Sequence, residues 1–153
     1  MWPARASPPG ARVVLFALCE LGVAAYGALS CRLLYDWLYV RWGGLFTEPL
    51  RAGALQFASL AVPTVLMGMS LPLLARAMVR DVETASDTIG FLYGINVLGA
   101  AAGALVTPWV LIRYAGIRAA VMVAVAANVL AGMAAIGLAR TDKRPEPEPE
   151  PAP

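Results

Sequence analysis

The chain has 153 residues, 59% of them apolar and 14% charged, with a mean hydropathy of +0.67 and a net charge of +2. A soluble domain carries about 25% charge, so this composition belongs to a membrane protein with no room for a second domain. The small net charge and scattered arginines exclude a nucleic-acid binder, and the absence of histidine removes the commonest general base and metal ligand.

Residues 1–12 hold Pro3, Pro8, Pro9 and Gly10 and are expected to be irregular. Arg5 and Arg12 precede an apolar run, and ALSC at 28–31 loosely resembles a lipoprotein cleavage site. Glu20 argues against cleavage at Cys31, because the apolar core of a signal is normally unbroken. Residues 13–31 are apolar apart from Glu20, and a first helix is expected from Val13 to the neighbourhood of Tyr35. Cys19 and Cys31 fall too far apart on this helix to bridge and read as small packing residues. Residues 36–51, with Arg41, Gly43, Gly44, Glu48 and Pro49, read as a loop. Trp37, Tyr39 and Trp42 lie there, residues that anchor at the headgroup boundary.

Residues 52–75, 88–112 and 119–139 carry no charge at all. Helices rise about 1.5 Å per residue, so ~20 residues span the ~30 Å hydrocarbon core and each stretch is long enough to cross it. The second helix, over 52–76, contains Pro63 and Pro72, which predict kinks. A polar connector follows at 76–87, then a third helix over 88–112. The connector at 113–118 is short, so the third and fourth helices are expected to form an antiparallel hairpin, the fourth covering 119–139. The tail at 140–153 is charged and then Pro-Glu-rich, and is expected to be extended and disordered.

The expected fold is therefore all-α: an integral membrane bundle of four transmembrane helices at 13–139. An even number of spans puts both ends on one side, with Arg5, Arg12, Arg76, Arg80, Arg140, Lys143 and Arg144. Arg32, Arg41, Arg51, Arg113 and Arg118 lie on the other. This modest bias places both termini in the cytoplasm and the chain in the inner membrane as a multi-pass protein.

Faces of these helices suggest sites. On the third, Asn96, Gly99, Gly103 and Thr107 share a stripe that includes a GxxxG match, the pattern that lets membrane helices approach closely. It reads as a packing seam, with the lining of a substrate path as the alternative. On the first helix Glu20, Ala24, Gly27 and Cys31 share a face. A carboxyl at this depth is costly, so Glu20 is expected to face the bundle or a water pocket. It reads either as a structural carboxyl near the boundary or as a proton or cation site partnered by Asn96 or Asn128. Asn128 and Gly132 mark the inner face of the fourth helix. No G-x-G loop and no nucleophile–histidine pair exists in the sequence, so no cofactor, metal site or catalytic residue is expected.

Residues 63–76, PTVLMGMSLPLLAR, and 92–104, LYGINVLGAAAGA, resemble the PTLLMGATLPLLAR and LYAINTLGAVLGAL stretches of bacterial membrane proteins fused to a spermidine synthase-like domain. Residues 20–27, ELGVAAYG, and Arg118 leading into the fourth helix also fit. Departures are Met69-Ser70 for Ala-Thr and Val97 for Thr. The resemblance covers about 13–139 and implies a partial major facilitator-like half, matching the third to sixth helices of that membrane region. It implies a link to polyamines. The aminopropyltransferase domain has no counterpart, so the chain is expected to be non-catalytic, either a fragment of a larger gene product or one completed by a partner chain. The expected function is a transporter-like membrane module in the lipid bilayer that self-associates or binds a partner supplying missing helices. The alternative is a structural anchor or assembly subunit without transport. Cargo, coupling ion and direction are not encoded in any motif.

Overall fold

The computed structural model describes residues 9–79 and 82–141, and among these residues no strand occurs. Helix α1, Pro9–Ser30, continues into wider π-type turns over Cys31–Val40. A 3-10 turn, Gly43–Phe46, leads to α2, Pro49–Met78. Helix α3, Val82–Val106, passes through a second π-type stretch, Thr107–Ile112, into α4, Arg113–Thr141. Three helices are long and apolar enough to cross a membrane: Gly10–Val40, Pro49–Met78 and Glu83–Thr141. The last has 59 residues and would reach about 90 Å if straight, some three hydrocarbon thicknesses. It is broken at Gly116, where φ is 83° and ψ 168°. That conformation is open essentially to glycine alone, since a Cβ would clash with the backbone.

Several boundaries differ from the sequence expectation. The first helix does not stop near Tyr35 but runs to Val40, so Trp37 and Tyr39 are helical. No glycine or proline interrupts the chain between Gly27 and Gly43, and the helix ends only as Gly43-Gly44 approaches. Helix α2 begins at Pro49, where the missing N–H costs nothing because first-turn donors have no intrahelical partner. The polar connector is also mostly helical. Helix α2 extends through Arg76 to Met78, and α3 already includes Glu83, an acid favoured by the positive end of the helix dipole. Residues 9–12, expected to be irregular, belong to α1. Residues 1–8 and 142–153, and with them most of the expected disordered N-terminus and tail, lie outside the described residues.

Helix α1 is the hub. Against α2 it runs antiparallel, with Gly22 opposite Leu66, where an added Cβ would lie 3.1 Å from Leu66 Cδ1. Against α4 it is antiparallel too. A Cβ on Gly27 would come within 3.0 Å of Val125, and one on Gly132 within 3.0 Å of Leu21 and 3.2 Å of the Ala17 carbonyl oxygen. Small residues line this seam: Ala17, Cys19, Ala24, Ala120, Gly132 and Ala135 are buried. Among the described residues no large side chain is fully buried. Lipid tails are as apolar as leucine, so a membrane bundle gains from close backbone approach rather than from hiding big side chains.

Helix α3 stands apart. It touches α2 lightly, and the packing between the arms of the Gly116 turn is confined to Thr107–Ile112 on α4. The expected hairpin therefore forms at the turn and splays beyond it. Leu98 is 71% exposed and Leu105 65%.

Candidate functional site

A cavity of about 570 Å³ opens where the four helical segments meet. Helix α1 contributes Glu20, α2 contributes Gly68, Ser70 and Pro72, α3 contributes Asn96 and α4 contributes Asn128. The register of the seams explains the convergence. Ala17 and Leu21 lie at the level of Gly132, which puts Glu20 beside the Asn128–Gly132 turn of α4. Gly22 lies at the level of Leu66, which puts Glu20 beside Gly68 on antiparallel α2.

The polar groups around this cavity are mainly acceptors. Glu20 is half-buried and has no hydrogen bond or ion pair among the described residues. Asn128 donates from Nδ2 to the Ala124 carbonyl at 2.8 Å, a bond within its own helix that leaves its amide oxygen without a donor among the described residues. The buried Ser70 hydroxyl donates to the Leu66 carbonyl at 3.2 Å. Pro72 has no N–H, so the carbonyl of Gly68, four residues earlier, loses its usual helical donor. Among the described residues neither arginine nor lysine lines the cavity. A carboxyl, amide oxygens and a freed carbonyl favour a cation or a proton over an anion. Among the described residues no three His, Cys, Asp or Glu side chains gather in a metal-binding group.

The residues singled out from the sequence divide into two groups. Glu20, Asn96 and Asn128 line one cavity. Gly27 and Gly132 lie at the closest helix approaches, on α1 and α4. Gly99 and Gly103 do not pack within the chain: an added Cβ at either meets nothing within 4 Å, although Asn96 on the same stripe lines the cavity. Pro63 and Pro72 both lie inside α2, which continues through them.

Pro63 removes the donor for the Ser59 carbonyl, and the Tyr26 hydroxyl of α1 donates to that oxygen instead. This contact was legible in principle, since a proline names the carbonyl it orphans four residues earlier. Which side chain fills the gap depends on the register between helices. Gly22, Ser70 and the Gly116 break also went unrecognised in the sequence, where each looks like one more small residue in an apolar or turn segment.

At the far end, Tyr39 stacks on Phe46 at 4.2 Å between ring centroids, and Gln56 Nε2 donates to the Tyr39 hydroxyl at 2.7 Å. Trp37 and Trp42 sit 6.1 Å apart. This aromatic group ties the end of α1 to the start of α2. Cys19 and Cys31 are both free thiols.

Comparison with protein-family models, with curated proteins and with solved structures gave no match.

Proposed function

We propose that this chain is a non-catalytic, transporter-like membrane module whose cavity takes a cation. Its single strongest support is the meeting of Glu20, Asn96 and Asn128 at one cavity inside an otherwise apolar bundle. An ionisable side chain within a span is costly wherever it lies and is generally kept for a pathway or a coupling site. The sequence resemblance to the membrane part of fused transporter and spermidine synthase-like proteins points the same way and suggests a polyamine or related ammonium as cargo.

In this reading the break at Gly116 divides Glu83–Thr141 into two crossings, giving four spans in the inner membrane with both ends cytoplasmic. Four helices do not enclose an alternating-access path, because such paths form between paired repeats. The working unit therefore includes a second copy or a partner chain. The test is uptake of labelled putrescine into vesicles holding the purified chain, with Glu20→Gln as the comparison. The variant should fold and lose the cation response; equal uptake by vesicles with and without protein would refute transport by copies of this chain alone.

A structural anchor is the second reading, favoured by the loose packing of α3 and the openness of the cavity on that side. It predicts no uptake together with a stable complex of higher mass in mild detergent.

A further inference from the structure

Three arginines lie toward one end of the bundle. Arg12 Nη1 donates to the carbonyl of Arg76 at 2.9 Å, capping the negative end of α2 with a cation. Helices α1 and α4 are antiparallel, with Ala17 against Gly132, so Arg140 near the end of α4 lies at the level of Arg12. None of the three has an ion-pair partner among the described residues. Glu83 and Asp87 belong to the first turns of α3 at the same end, so the arginines come from the α1, α2 and α4 side and the acids from the α3 side. Inward from the arginines lies a second groove, of about 530 Å³. Val13, Leu74, Ala77, Ala134 and Leu138 line it, and among the described residues Thr88 is its one polar side chain.

We infer that this groove is a docking site for an anionic glycerophospholipid. The phosphate lies against Arg12, Arg76 and Arg140, and the first part of one acyl chain lies in the groove. The argument is charge complementarity joined to an apolar slot directly beneath it. Guanidinium groups bind phosphate oxygens through paired N–H bonds, and Arg12 uses only one of its donors on Arg76. Basic pockets between helix ends are recurrent sites for acidic lipid headgroups. The groove shares Phe16, Leu74 and Ala131 with the cation cavity, but the inference does not depend on transport.

The experiment uses the full chain in mild detergent. Lipid retention is read by native mass, and the shift in thermal unfolding is read in parallel, with phosphatidylglycerol and phosphatidylcholine of matched chains. Phosphatidylglycerol should be retained preferentially, and each arginine neutralised should lower that preference roughly fivefold, from about 1 kcal/mol per cation at a membrane surface. Arg140→Gln leaves the α2 cap intact and carries the test even if Arg12→Gln fails to fold. Ala134→Trp fills the slot from an exposed position and should weaken retention without altering any charge. Equal retention of the two lipids overturns the inference, as does full retention by either Arg140→Gln or Ala134→Trp. Displacement by glycerol phosphate at the concentration of the lipid itself would make this a simple phosphate site and overturns it too.

Discussion

Pro63 takes one donor out of the α2 hydrogen-bond ladder, and Tyr26 puts one back from the neighbouring helix. In hydrocarbon no water can satisfy an orphaned carbonyl, so this exchange lets a proline sit inside a span. Tyr26→Phe should therefore destabilise the chain by about 1 kcal/mol, measured as thermal unfolding in detergent. The cost should shrink in a Pro63→Ala background, where the alanine N–H supplies the Ser59 carbonyl internally. Equal costs in both backgrounds would separate the tyrosine from the proline. The second proline differs: among the described residues no side chain donates to the Gly68 carbonyl, and Gly68 and Pro72 line the cavity that holds Glu20. Glu20→Gln keeps the shape of the side chain and removes an unpaired ionisable group from the span, so it should leave stability unchanged or slightly raised.

Among the helices, the division is between a tight trio, α2–α1–α4, and a loosely attached α3. Gly132→Leu should separate α1 from α4, because its Cβ already meets Leu21 at 3.0 Å and a backbone oxygen at 3.2 Å. Overpacking of this kind costs about 1–3 kcal/mol, and a loss of thermal stability in detergent would register it. Gly99→Leu and Gly103→Leu should leave the fold of the single chain intact, since both positions face open space. A fall in assembled mass with unchanged monomer stability would locate the partner on this stripe; a collapse of monomer stability would contradict the observed packing. The contrast shows what could be read from sequence. Charge-free length revealed the apolar helices, because hydrocarbon thickness demands it. Polar residues isolated in those helices pointed to Glu20, Asn96 and Asn128, because burying them is costly. Small-residue stripes marked close contact at Gly27 and Gly132 but not, within this chain, at Gly99 and Gly103. Such a stripe shows that a close approach is allowed and says nothing about which helix comes. The extension of α1 to Val40 was hidden because a tryptophan- and tyrosine-rich segment suits a helix end and an interfacial loop equally well.

At the scale of the whole molecule, the seams establish which ends lie together. Arg12 bonded to the Arg76 carbonyl, and Ala17 against Gly132, bring the start of α1 and the ends of α2 and α4 to one end of the bundle. The Gly43–Phe46 turn joins the opposite ends of α1 and α2 and so lies at the far end. A bilayer across this axis puts Thr141 and Gly44 on different sides, and in the proposed orientation Thr141 faces the cytoplasm. Single cysteines report this directly once Cys19→Ala and Cys31→Ala remove the native thiols, substitutions that suit an alanine-lined seam. With a membrane-impermeant maleimide on intact cells, Gly44→Cys should be labelled and Thr141→Cys protected until the membrane is opened. The reverse pattern would keep the fold and invert its orientation. Labelling of both from outside would mean that α4 does not return across the membrane, and the turn at Gly116 could not then separate two crossings. Gly116→Ala makes the dependence explicit. Forcing a Cβ into φ 83°, ψ 168° costs on the order of 1–3 kcal/mol, so the variant should show partial loss of Thr141→Cys protection or a lower unfolding temperature.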